Sequence, residues 1–84
     1  MVQVTVRYFE SLREALGASE SMTMADGDTV ASLRDALIAK GAAHAQCLAR
    51  GRAVRCALNQ VIVDETALLI AHADVAFFPP VTGG

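Results

Sequence analysis

The chain ends Pro79-Pro80-Val81-Thr82-Gly83-Gly84, and each residue type there restricts conformation or bulk. Two prolines favour an extended backbone that cannot rejoin a sheet. Two glycines carry no side chain, so a narrow channel can admit the backbone at Gly83 and leave the Gly84 carboxylate as the one reactive group. A terminal Gly-Gly arises by chance in about one chain in 200 at ordinary glycine usage, which makes the pair a moderate signal by itself. The plain alternative is a frayed, inert terminus, and the rigid proline spacer counts against it. A free carboxylate is a poor acyl donor and needs activation, most simply as an acyl adenylate made with ATP. The sequence holds no glycine-rich phosphate loop, so activation is expected from a partner enzyme that uses ATP, with no cofactor bound by this chain.

Other reactive side chains point to less. His44 and Cys47 are three apart on a predicted helix, close enough for two metal ligands, but a structural zinc site needs four and neither Cys56 nor His72 has matching spacing. No metal site is assigned. Cys47 and Cys56 are too few for a disulfide framework and read as reduced, packed thiols of a cytoplasmic protein. No Ser-His-Asp spacing and no carboxylate pair stands out.

These groups must be positioned by a small body. With 84 residues, 54% of them hydrophobic and 19% charged, the chain is read as one domain with a single thin core rather than a deep, self-contained active site. A net charge of -2 argues against a nucleic-acid surface, which needs a basic excess. The opening residues alternate apolar with polar, unlike a secretory signal. The longest apolar run, Ala67 to Ala71, falls far short of the roughly 18 residues of a membrane span, so neither nucleic acid nor membrane is an expected partner.

Periodicity supplies the elements. Over residues 2–9, Val2, Val4, Val6 and Tyr8 alternate with Gln3, Thr5, Arg7 and Phe9, the pattern of a half-buried strand with the valines inward. Leu12, Ala15 and Leu16 at helical spacing, followed by Gly17, predict a short helix, and residues 20–25 a second strand. After the Asp26-Gly27-Asp28 turn, Thr29 caps a main helix carrying Val30, Leu33, Ala36 and Leu37 on one face until Gly41. Residues 42–50 are helical in composition and Gly51 breaks them. Residues 54–58 lean to strand, Asn59-Gln60 reads as a turn, and residues 61–63 as a short strand. Residues 74–78 alternate again, Val75 and Phe77 on one face, before Pro79-Pro80 ends the strand. The order suits an α+β mixed sheet packed on one main helix, with the other sheet face open. Phe9 and Phe78 are out of phase with the buried residues of their strands, so both belong to that open face. Aromatics grouped there mark an interface more often than chance exposure does.

The residues also resemble a known family, the small sulfur-carrier subunit of molybdopterin synthase, a ubiquitin-like β-grasp protein. Asp74-Val75-Ala76-Phe77-Phe78-Pro79-Pro80-Val81-Thr82-Gly83-Gly84 is similar to the family's ending almost throughout, and Asn59-Gln60 matches the Asn-Gln before it. Leu12-Arg13-Glu14-Ala15-Leu16-Gly17 resembles the family's first helix and Thr29-Val30-Ala31-Ser32-Leu33-Arg34 the start of its second. Where the family has a Gly-Asp-Glu turn before its last strand, this chain has His72-Ala73-Asp74. The segment from Gly41 to Arg55 shows little similarity, and Arg50, Arg52 and Arg55 read as a solvated face.

The resemblance implies a β-grasp domain over residues 1–78 and a flexible, extended tail over residues 79–84. It implies that the Gly84 carboxylate is adenylated by a ubiquitin-activating-type enzyme and converted to a thiocarboxylate by a sulfur donor protein. The tail would then enter the large synthase subunit and give its sulfur to a cyclic pyranopterin monophosphate, forming the molybdopterin dithiolene. On this reading the chain is a non-catalytic carrier in a heterotetramer of two small and two large subunits, met through Phe9, Ile62, Phe78, Pro79, Pro80, Val81 and Thr82. Two alternatives stay open. One is a ubiquitin-like modifier whose Gly84 forms isopeptide bonds with lysines. The other is a carrier of sulfur for the thiamine pathway, for which a Phe-Phe-Pro-Pro approach to the tail is not expected.

Overall fold

The computed structural model describes residues 1–80, and the tail residues Val81, Thr82, Gly83 and Gly84 singled out above lie outside them. In chain order the elements are β1 (Val2–Tyr8), α1 (Ser11–Leu16), β2 (Ser19–Met24), α2 (Val30–Ile38), α3 (Ala42–Leu48), β3 (Arg55–Leu58), β4 (Val61–Val63) and β5 (Asp74–Phe78). The strands form one mixed sheet in the order β2-β1-β5-β3-β4. β1 runs antiparallel to β2 and parallel to β5, and β5 and β4 each run antiparallel to β3. This is the α+β arrangement the periodicity predicts.

The alternation in β1 works as expected: Val4, Val6 and Tyr8 are buried, as are Val75 and Phe77 of β5. Against them pack Val30, Leu33 and Leu37 of α2, Leu48 of α3 and Leu12 of α1. Removing such side chains from water at about 25 cal/mol per Å² is what drives this layer together. α2 starts where Thr29 predicts, its Oγ1 accepting from the Ser32 N–H at 3.2 Å. The next N–H groups of that helix, on Val30 and Ala31, donate to the Ala67 and Glu65 carbonyls at 3.0 and 2.9 Å. The irregular stretch between β4 and β5 thereby caps the main helix from outside it.

The buried stripe of α2 differs from the expected one in one place. Arg34, four residues after Val30, is 3% exposed, whereas Ala36 is only half-buried. The Arg34 guanidinium spends its donors on the exit of α3. Nε donates to the Leu48 carbonyl at 2.7 Å, Nη2 to those of Ala49 and Arg52 at 2.7 and 3.1 Å, and Nη1 to Glu65 Oε2 at 2.8 Å. Carbonyls that a helix end leaves orphaned are thus satisfied by a charged side chain. Arg50, Arg52 and Arg55 are exposed, as a solvated face requires, and two of them also make contacts there. Arg50 bridges Asp35 and Glu65, and Arg52 Nε donates to the Gln46 carbonyl.

Candidate functional site: the open sheet face and the root of the tail

Register places the residues of the open face in rows. Arg7 of β1, Ala76 of β5, Ala57 of β3 and Ile62 of β4 lie across one row. Phe78 lies opposite Arg55 in the next. Phe9 follows the Tyr8–Phe77 pair, and its N–H donates to the Phe77 carbonyl at 3.2 Å, so it extends the ladder beside Phe78. The strand expected over residues 2–9 therefore ends one residue early, yet Phe9 keeps its face. Phe9 is 44% and Ile62 65% exposed, while Phe78, Pro79 and Pro80 are half-buried. Ala76, small between larger side chains, leaves a hollow. A groove of about 390 Å³ runs between Phe9, Glu10, Gln60, Ala76, Phe78 and Pro79.

The Asn59-Gln60 turn holds one end of this face. Both residues have positive φ, 49° and 71°, the pairing of a type I′ hairpin turn whose twist suits the strands it joins. Asn59 also ties that turn to β5: its N–H donates to the Asp74 carbonyl at 2.8 Å and its Oδ1 accepts from the Asp74 N–H at 2.9 Å. The turn before β5 keeps a left-handed residue without glycine, since His72 adopts φ 64° and donates its N–H to the Gln3 carbonyl at 2.7 Å. β5 is thus fixed at its start by two neighbouring strands and delivers Pro79 at its end. Pro79 lines the open-face groove and also a cavity of about 230 Å³ with Ser11, Leu12, Cys47, Arg52, Ala53 and Val54, so the root of the tail sits between the two faces of the sheet.

On the helix side, a polar cluster that the sequence does not announce surrounds Glu20. Tyr8 Oη donates to Glu20 Oε2 at 2.6 Å, His44 Nε2 lies 2.8 Å from the same oxygen, and Lys40 Nζ pairs with Oε1. Burial pushes the Glu20 carboxyl up, but the hydrogen bonds from Lys40, Tyr8 and His44 outweigh it and bring it down to about 2. Burial, and then the bond to Glu20, push the Tyr8 phenol above its ordinary range. His44 is spent on Glu20 and on the edge of the Tyr8 ring, 6.4 Å between centroids, rather than on Cys47. Among the described residues no three His, Cys, Asp or Glu side chains gather as a metal site, and no helix is long and apolar enough to cross a membrane. The Cys56 thiol, pushed up chiefly by burial, donates to the Val63 carbonyl at 3.3 Å, so it packs as a thiol rather than acting as a thiolate.

Comparison with known proteins places the chain in a family. The model of the ThiS family matches residues 6–84. The chain belongs to the ThiS family. Among the relatives of this ThiS-family chain, the molybdopterin synthase sulfur carrier subunit of Escherichia coli K12 is 37% identical over 81 residues, covering 96% of this chain and 99% of the relative. The fold is shared with a putative molybdopterin converting factor, subunit 1, from Pyrococcus furiosus, at TM-score 0.80 and 24% identity over 96% of this chain and 100% of that one. It is shared also with a chain of the complex of subunits 1 and 2 of the molybdopterin-converting factor from Helicobacter pylori, at TM-score 0.70 and 23% identity over 99% and 100%. These neighbours make the ThiS-family chain a ubiquitin-like β-grasp protein, as the resemblance at its C-terminus implies.

Proposed function

We propose that the chain is the sulfur carrier subunit of a molybdopterin synthase. The reading rests on its 37% identity, over nearly the whole of both chains, to a relative of that name. In this role the Gly84 carboxylate attacks ATP on a ubiquitin-activating-type enzyme, releasing pyrophosphate and leaving an acyl adenylate. A sulfur donor protein then supplies sulfur at the sulfide level, which attacks the acyl carbon, expels AMP and leaves a thiocarboxylate. The ionised thiocarboxylate is a soft, strong nucleophile, and tethering it to a docked domain raises its effective concentration at one acceptor only. It attacks the cyclic pyranopterin monophosphate within the large subunit, and hydrolysis returns the carboxylate. The catalytic groups belong to the partners, and ATP is theirs. Gly83 lets the backbone pass a narrow channel, and Val81 and Thr82 line the approach behind it. Phe9, Ile62, Phe78, Pro79 and Pro80 seat the large subunit, the assembly being a heterotetramer of two small and two large subunits in the cytoplasm.

Intact-protein mass spectrometry tests the chemistry. Incubated with ATP, the activating enzyme and a sulfur source, the full chain is expected to gain the mass difference of one oxygen exchanged for sulfur, and a Gly84-deleted chain none. An unmodified full chain beside an enzyme active on another carrier overturns the reading. Conjugates to lysines of other proteins under the same conditions would make the chain a protein modifier instead.

A further inference from the structure

The outer row of the open face runs from Phe9 through Phe78 to Arg55, across β1, β5 and β3. Next to Phe9, at the mouth of the groove, stands Glu10. Charges of opposite sign therefore bracket the two aromatics. Both side chains are exposed, and among the described residues neither makes an ion pair, whereas Arg7 on the same face is paired with Asp74 at 3.5 Å.

The backbone at Glu10 adds a second observation. Its φ of 56° and ψ of -128°, with the Leu12 N–H donating to the Phe9 carbonyl at 3.2 Å, are those of the first central residue of a type II′ turn, a position glycine fills without strain. A residue with a side chain is strained there. Folding alone would favour glycine, so a carboxylate kept at this point, facing solvent beside the groove, serves something outside the fold.

We propose that Glu10 and Arg55 set the direction in which the large subunit lies across the sheet. The partner places a basic side chain against Glu10, a carboxylate against Arg55, and an apolar side chain in the groove between them. This rests on the reading of the open face as the seat of the large subunit. The apolar contact supplies most of the affinity, and the oppositely charged rim rejects the reversed orientation and speeds the correct encounter. The small Ala76 in the groove makes room for the incoming side chain.

The test is titration of the purified large subunit with the full-length chain and four variants, at low and high salt. Glu10→Lys and Arg55→Glu are each expected to weaken binding about tenfold at low salt, with the loss shrinking at high salt. Glu10→Gly is expected to melt higher than the parent and still to bind about threefold more weakly. Phe78→Asp is the control for the face. If Phe78→Asp abolishes binding while the three charge variants bind within twofold of the parent, the orienting role is overturned and the docking face stands. If Phe78→Asp binds like the parent, the docking face itself is wrong.

Discussion

Arg34 is the one charged residue buried among the described residues, and its worth lies in what it leaves satisfied. Truncating it takes the side-chain donor from the Leu48, Ala49 and Arg52 carbonyls, of which Ala49 keeps the Arg52 N–H, and leaves Glu65 with Arg50 alone. Breaking a buried pair of this kind costs about 3–5 kcal/mol, a large part of the stability of a small domain. Arg34→Ala is expected to lower the unfolding free energy read from urea titration by that amount, and an effect under about 1 kcal/mol would contradict the role given to the guanidinium. Glu20 makes a pH-dependent contribution. Its carboxyl is held at about 2 against an ordinary value of 4.5, so the stability it adds is fully present above pH 4.5 and is lost as pH falls toward 2. The site is partly open to solvent, which reduces the contribution to on the order of 1 kcal/mol. The difference in melting temperature between the parent and Glu20→Gln should stay constant above about pH 5 and shrink below it. A difference that grows toward low pH would refute the assignment.

Among the elements, those set by local rules are legible in the sequence and those set by distant partners are not. The alternation of β1 and β5, the Thr29 cap and the Asn59-Gln60 turn depend on a few adjacent residues, and the structure has each of them where the pattern puts it. Phe9 and Phe78 reach the open face for the same reason, because a strand has only two sides. The burial of Arg34 had a local signal, its place four residues after Val30 on the apolar stripe, but its charge argues for the surface until the α3 carbonyls are known to be within reach. The capping of α2 by Ala67 and Glu65, and the gathering of Tyr8, Lys40 and His44 on Glu20, join residues from 12 to over 30 positions apart, and no short-range pattern encodes them. Glu10 shows no turn signal because its type is wrong for its turn. At the element scale the turn into β5 carries a prediction. His72 holds a left-handed backbone that costs a residue with a side chain about 1–2 kcal/mol, and glycine relieves it at some cost in unfolded-chain entropy. His72→Gly is expected to raise stability by about 0.5–1 kcal/mol, read from thermal unfolding, and a lower melting temperature would show that the imidazole earns its place by contacts.

For the molecule as a whole, the prediction concerns how far the fold depends on the chain's last residues. Among the described residues the last ladder residue is Phe78, and the buried core draws on none beyond Phe77. Deleting Gly84, or adding one residue after it, is therefore expected to leave the melting temperature unchanged within about 2 °C while abolishing sulfur transfer. A tail-extended chain with full transfer activity would sink the carrier reading, and one that melts much lower would show that the tail supports the fold. The same logic separates the face from the core: Phe78 is only half-buried where Phe77 is closed off entirely, so adjacent aromatics have different tasks, one outward and one inward.

β5 lies in the middle of the sheet, hydrogen-bonded on one side to a parallel strand and on the other to an antiparallel one, and the tail leaves from its end. A pull applied at Pro80 along the axis of β5 is therefore borne as shear spread over both ladders together, rather than peeling bonds one at a time from an edge.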